Sequence, residues 1–221
     1  MKQKALYFIL LFCAVVSSAY AYDFSAVAPT GQTLYYTITS NGSTSEVSVI
    51  CPGSFSWSGY TEPTGSLTIP STVMNGGITY SVTSIGDSAF YYCNNLASVI
   101  IPNSVISIGN HAFDICHNLA SVTIPNSVSS IGNGAFWSCN SLAYVTIPNS
   151  VVSIGNNAFM NCRSLAPVTI PNSVTSIGNN AFGQVKMIYY YGNATGSPWG
   201  ALYRNGYIED SLYYTSDAKV T

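Results

Sequence analysis

Residues 121–143 read "SVTIPNSVSSIGNGAFWSCNSLA", and residues 144–166 repeat the phrase as "YVTIPNSVVSIGNNAFMNCRSLA". The repeat extends in both directions. Ile101, Ile124, Ile147 and Ile170 each precede Pro-Asn-Ser-Val, and Ala-Phe recurs at Phe90, Phe113, Phe136, Phe159 and Phe182, always 23 residues on. Such self-similarity marks a solenoid, because one unit cannot bury its apolar face alone and stacked units can. Upstream, Leu67-Thr68-Ile69-Pro70 carries the same strand, with the gap to the next stretched to 32 around the turn-prone Asn75-Gly76-Gly77.

Within one unit, Val122 and Ile124 alternate with Thr123, which predicts a short strand with one buried face. Pro125 ends it, since proline cannot donate to a ladder. Val128 and Ile131 return to the interior. Gly132 is expected to supply a positive-φ corner and Asn133 an N-cap for a short helix or 3₁₀ segment. There Ala135, Cys139 and Leu142 fall at i, i+4 and i+7. The expected fold is therefore an α/β solenoid of 23-residue coils, with one short parallel strand per coil and β-rich N- and C-terminal caps.

The chain divides accordingly. Residues 1–21 place Lys2 and Lys4 before an apolar run and close on Ala19-Tyr20-Ala21, the pattern of a secretory signal peptide cleaved after Ala21. Residues 22–80 form an N-terminal β cap and a first irregular repeat, with a hairpin from Leu34–Ile38 to Val47–Ile50 around Asn41-Gly42. Residues 81–185 are the repeat array, and residues 186–221 an aromatic C-terminal cap.

Composition excludes several function classes. Charged residues make up 6% of the chain, against roughly 25% in average proteins. After removal of residues 1–21 the cations are Arg163, Lys186, Arg204 and Lys219, too few and too scattered for nucleic acid. The mature chain has no apolar run long enough to span a membrane. An exported monomer is expected.

Phrases of the type "SVTIPNSVTSIGNNAF", followed by a Cys except in the last, where Val185 stands, resemble the BspA-like leucine-rich repeats of bacterial surface and secreted proteins. The lead-in "YDFSAVAPTGQTLYYTI" and the tail "IYYYGNATGSPWGA" resemble that family's flanks. The resemblance covers nearly all of the mature chain. It implies a leucine-rich-repeat solenoid and a role in adhesion, host-protein binding or cell–cell contact, with no catalytic residues to carry over. The family often continues beyond such a tail into further repeats or an anchoring segment.

Chemistry-bearing constellations are sparse. Cys93, Cys116, Cys139 and Cys162 lie 23 apart. Stacking brings their Cα atoms within disulfide range, but parallel side chains keep the Cβ atoms too far apart. They read as a ladder of buried thiols; Cys51 stands outside it. His111, Asp114, Cys116 and His117 could form a nucleophile set on paper, yet Cys116 holds a core position of its repeat. No phosphate-cradling loop, zinc motif or paired metal ligands occur, so neither catalysis nor a cofactor or metal is expected.

What varies between units is the residues after Ala-Phe and after Cys. Tyr91, Tyr92, His117, Trp137, Met160 and Arg163 sit there, and Tyr, Trp, Met and Arg are enriched at interfaces. The competing strand face is small and polar, with Ser98, Ile100, Ser121, Thr123, Thr146, Pro167 and Thr169 around one large anchor, Tyr144. The expected function is a secreted or cell-surface binding or adhesion module, not an enzyme, that presents one of these surfaces to a protein or glycan. The alternative is a structural, self-associating surface component.

Overall fold

A computed structural model describes residues 22–53, 56–186 and 188–190. The expected signal peptide and most of the expected aromatic C-terminal cap lie outside these residues. The chain opens as an antiparallel meander of β1 (Phe24–Val27), β2 (Thr33–Asn41) and β3 (Ser45–Ile50). The β2–β3 hairpin forms around Asn41-Gly42 as expected, but Asn41 pairs with Ser45 across a three-residue loop rather than the two-residue turn typical of Asn-Gly. Next come β4 (Gly65–Thr68), β5 (Thr72–Asn75) and β6 (Ile78–Ile85). β5 and β6 form a hairpin over the stretched gap, with Gly76 and Gly77 at φ 58° and 82°.

From β6 onward two parallel ladders run side by side. One joins β3 to β6 and continues through β8 (Ser107–Ile108), β10 (Ser130–Ile131), β11 (Ser153–Ile154) and β13 (Ser176–Ile177). The other joins β4, β7 (Leu96–Ile100) and β9 (Ser121–Thr123), which bridges to Tyr144; β12 (Val168–Ile170) then pairs β14 (Ile188–Tyr190). Two parallel ladders thus replace the single one expected, although in the coil at 144–166 the lateral one is reduced to the bridge at Tyr144. The Ser-Ile step of the Val-x-Ser-Ile segment after each proline pairs in addition to the segment before it.

The expected helix is absent: the described residues contain none, so the fold is all-β rather than α/β. The reason lies in where the N–H groups go. Along residues 134–139, Ala135, Trp137 and Cys139 donate within the coil, to Gly132, Gly134 and Phe136 O. Gly134, Phe136 and Ser138 instead donate to Asn156, Ala158 and Met160 O of the next coil. A helix would instead turn its donors, beyond those of the first turn, onto its own carbonyls. Three unbroken chains of peptide hydrogen bonds result. One runs Phe90 N to Ala112 O, Phe113 N to Ala135 O, Phe136 N to Ala158 O and Phe159 N to Ala181 O.

Two sequence assignments change with it. Gly132 does not have a positive φ; that belongs to Gly134, at 59°. A Cβ on Gly132 would fall 2.5 Å from the Gly109 carbonyl carbon, and Gly109, Gly155 and Gly178 stack the same way. These glycines let backbone pass over backbone. Asn133 caps no helix. Its Oδ1 accepts the Asn156 N–H at 2.8 Å, Asn110 Oδ1 accepts Asn133 N–H at 2.9 Å, and Asp87 Oδ1 accepts Asn110 N–H at 2.7 Å.

The core is a set of columns. Phe90, Phe113, Phe136, Phe159 and Phe182 stack with centroids 5.0, 5.2, 5.1 and 5.3 Å apart and planes within 12° of parallel. Trp57 closes the column at 6.3 Å from Phe90. Beside it run the buried Ala, Cys and Leu columns, such as Ala135, Cys139 and Leu142.

Candidate functional site

Each coil turns through two left-handed residues. The first corner holds Ser88, His111, Gly134, Asn157 and Asn180 (φ 57, 53, 59, 56 and 54°), and the second Tyr92, Ile115, Ser138, Asn161 and Gln184 (φ 63, 60, 57, 64 and 65°). Gly, Asn and His accept this region readily, whereas bulky and β-branched residues are outliers. Tyr92 and Ile115 therefore carry strain on the order of 1–3 kcal/mol each. Neither can relax. Tyr92 N–H donates to Asp114 O while Asn94 N–H donates to Tyr92 O, and Ile115 is held alike by Trp137 and His117. Strain of this kind concentrates at functional sites. Sequence reasoning passed over Ile115; the available signal was the Asn, Ser and Gln of the equivalent positions.

The variable residues line this edge in unequal ways. Tyr92 is 54% exposed, its ring 6.3 Å from that of the half-buried Tyr91. Arg163 is exposed. His117 is half-buried, its Nδ1 donating to Ser138 O at 2.9 Å and its N–H to Asn94 Oδ1 at 3.2 Å. Trp137 is half-buried, its Nε1 shielded from solvent and its ring 6.4 Å from His111. Met160 is half-buried; its Cγ would lie 3.2 Å from a Cβ on Gly183. Tyr144 is 73% exposed but stands apart on the lateral ladder, where Ile100 is 54% exposed. A third surface, along the Ser-Ile-Gly-Asn ladder, is a shallow groove of about 460 Å³ lined by Ser130, Gly132 and Asn133 with their counterparts.

The Cys–His–Asp set is not assembled. The thiols of Cys116, Cys139 and Cys162 donate to Phe90, Phe113 and Phe136 O at 3.0, 3.1 and 3.1 Å. His111 Nδ1 instead lies 2.9 Å from Asp114 Oδ2. Asp114 is 3% exposed, and burial raises its carboxyl pKa while the His111 hydrogen bond pulls it down. The His111 ring crosses Gly134, where a Cβ would fall 2.7 Å from Nδ1. These departures from the repeat fit one another: the glycine makes room for the imidazole. Among the described residues no group of three or more His, Cys, Asp or Glu is placed to hold a metal ion, and no helix is long and apolar enough to cross a membrane.

Burial pushes the Cys162 thiol up to about 12, raises Cys93 and Cys116 further, and lifts Cys139 well above the ordinary thiol range. Cys51 is half-buried, and backbone hydrogen bonds at Gly53 and Ser56 partly offset its upward shift. The thiolate is the reactive form. With a thiol reagent at pH 8, native protein is expected to label at Cys51 first and at the four ladder cysteines only on unfolding. Peptide mapping that finds Cys116 or Cys139 modified as fast as Cys51 would contradict their burial.

The description "BspA type Leucine rich repeat region" matches residues 66–189 in six copies. A leucine-rich repeat protein of Bacteroides ovatus is 32% identical, with a TM-score of 0.63, over 78% of this chain and 41% of that one. The chain thus spans well under half of that relative's length. The leucine-rich repeat protein of T. pallidum is 31% identical, with a TM-score of 0.60, over 71% of this chain and 68% of that one. The pneumococcal vaccine antigen PcpA shares the fold at 21% identity and a TM-score of 0.51, over 76% of this chain and 50% of that one. Comparison with curated protein sequences gives no match.

Proposed function

This chain belongs to the BspA-type leucine-rich repeat family, and from that premise we propose that it is a non-enzymatic binding module, exported through residues 1–21. It uses the left-handed edge of its coils to hold a protein or glycan at the cell surface or in the medium. The observation that carries this reading is the pair of strained corner residues, Tyr92 and Ile115. The same corner is taken at lower cost by Asn161 in a later coil. A fold that keeps an exposed tyrosine where asparagine sits more easily is keeping it for contact. Tyr91 and Arg163 extend the patch, and Tyr and Arg are the types that dominate binding energy. His117, Trp137 and Met160 support it from partly buried positions.

The test starts from an array of host extracellular proteins and glycans, followed by affinity measurement on the strongest binder. Tyr92→Asn with Arg163→Ala is expected to weaken binding by about tenfold or more. Tyr144→Ala with Ile100→Thr, on the lateral ladder, is expected to leave it within about twofold. Tyr92→Asn should hold or raise Tm, because Asn161 already occupies the equivalent corner, so lost binding is not mistaken for lost fold. Loss confined to the second pair would move the site to the strand face and end the edge reading.

A further inference from the structure

Asp114 interrupts the repeat. Its position after Ala-Phe is held by Tyr91, Trp137, Met160 and Gly183 in the other coils, and only here is it a carboxylate. Asp114 is 3% exposed and poorly satisfied. Oδ2 lies 2.9 Å from His111 Nδ1, while Oδ1 is buried with no hydrogen-bond partner. The Trp137 indole N–H, at the same position one coil on, is likewise buried and unpaired. A buried charge with an unmet oxygen is costly. One proton relieves it, either on the carboxylate or on the imidazole, where it makes the hydrogen bond charge-assisted. The His111 side chain is 43% exposed, so solvent delivers that proton directly. The carboxylate hangs from the peptide group between Asp114 and Ile115. That group's oxygen accepts the Tyr92 N–H at 2.9 Å, and its N–H donates to Trp137 O at 2.8 Å. This single rung therefore ties both strained corner residues into the stack.

We propose that the His111–Asp114 pair is a proton-operated latch: with one proton bound it holds the Asp114–Ile115 rung and the Tyr92 corner in place, and without it the rung loosens as the carboxylate seeks water. The latch stands on this geometry; its consequence, tighter binding in a mildly acidic medium, rests on the edge reading above. Burial raises the Asp114 carboxyl above the ordinary carboxylate range, against the pull of His111 and His117. An acid raised on folding contributes stability that is complete below the ordinary range, at about pH 4, and is lost as pH rises through the raised value. The latch thus closes on acidification. The groups around it keep that sign. A positive charge on His117 offsets Asp114 as one on His111 does. The Cys116 and Cys139 thiols, on the core side, stay neutral because burial raises them. Tyr91 holds the same repeat position on the preceding coil. Glu62 acts on the Cys93 and Cys116 thiols, and Asp87 is engaged by Asn110.

Amide hydrogen exchange on the full chain tests the latch, with protection factors corrected for the intrinsic effect of pH. In the wild type the Tyr92 and Ile115 amides are expected to gain about tenfold in protection between about pH 8 and pH 4.5. Asp114→Asn, which mimics the protonated carboxyl, is expected to start at the higher value and stay there. Setting the wild type against this variant cancels Asp23, Glu46, Glu62 and Asp87, which both chains share. His111→Asn keeps the corner, as Asn157 and Asn180 do at φ 56 and 54°. It is expected to lower protection at pH 8 by about threefold or more, because the buried carboxylate loses its one partner. If Asp114→Asn does not fold, Asp114→Met, the residue that Met160 places there, carries the same readout. No ligand enters these measurements, so the latch is judged apart from the binding edge, which the Tyr92→Asn affinity assay judges alone. Wild-type protection that does not change with pH, that changes in parallel in Asp114→Asn, or that His111→Asn leaves intact at pH 8 would each overturn the proposal.

Discussion

Phe136→Ala is expected to lower Tm by roughly 10 °C or more, while Trp137→Ala, one residue on, costs a small fraction of that. Phe136 is fully buried and stacks on Phe113 at 5.2 Å and on Phe159 at 5.1 Å, with planes within 8° of parallel. Cutting a buried Phe to Ala costs about 3–5 kcal/mol. Two aromatic contacts are lost with it, at about 0.5–1.5 kcal/mol each. The column cannot close over the gap, because backbone hydrogen bonds on either side of the ring fix the coil spacing. Trp137 has one loose ring neighbour, His111 at 6.4 Å, and its surroundings are half open. A thermal melt of the two variants decides it; equal losses would mean that the phenylalanine column is not the spine of the solenoid.

Gly155→Ala is expected to be as damaging, although it adds only a methyl group. The new carbon would fall 2.5 Å from Asn133 N and 2.6 Å from the Gly132 carbonyl carbon. Both are backbone atoms of the preceding coil, and no side chain is there to swing aside. The coils must therefore separate along this line. That strains the Gly155 N–H to Ile131 O bond at 2.8 Å and the Asn156 N–H to Asn133 Oδ1 bond at 2.8 Å. Overpacking commonly costs about 1–3 kcal/mol; with no compliant neighbour the upper end or beyond is expected here. Gly42→Ala is the control, since its Cβ would meet only Ser40 Oγ at 3.9 Å and φ is not positive. A Gly155→Ala variant that melts with the Gly42→Ala control would show that the glycine line is not a contact between coils.

The period, the buried Phe, Cys and Leu columns and the Asn-Gly hairpin were all legible in the sequence, because each rests on a spacing or on a local turn preference. The helix was misread for a physical reason. Ala135, Cys139 and Leu142 do face one side, but alternate N–H groups in that segment serve the neighbouring coil, and no periodicity within one unit reports that. Gly132 was singled out correctly as needing glycine, for the wrong cause: crowding between coils rather than dihedral freedom. Of the candidate site, variation between units singled out the edge as one of two competing surfaces. The strain at Tyr92 and Ile115 left only an indirect trace, the Ser, Asn and Gln at the equivalent positions, because a φ angle is set by the stack.

The peptide hydrogen-bond chains beside the phenylalanine column have a further consequence. In each of them the N–H of one coil points to the carbonyl of the next, without exception from Ser88, Phe90 and Tyr92 to Asn157, Phe159 and Asn161. Their dipoles therefore add, as they do along an α-helix, rather than alternate as they do across a sheet. This edge is polarised from end to end, negative toward the first coil and positive toward the last. Arg163 sits toward the positive pole, where a cation gains nothing from the backbone field. A ligand laid along this edge would meet an axial gradient, and one with an acidic end would have a preferred polarity even on a surface with so few formal charges.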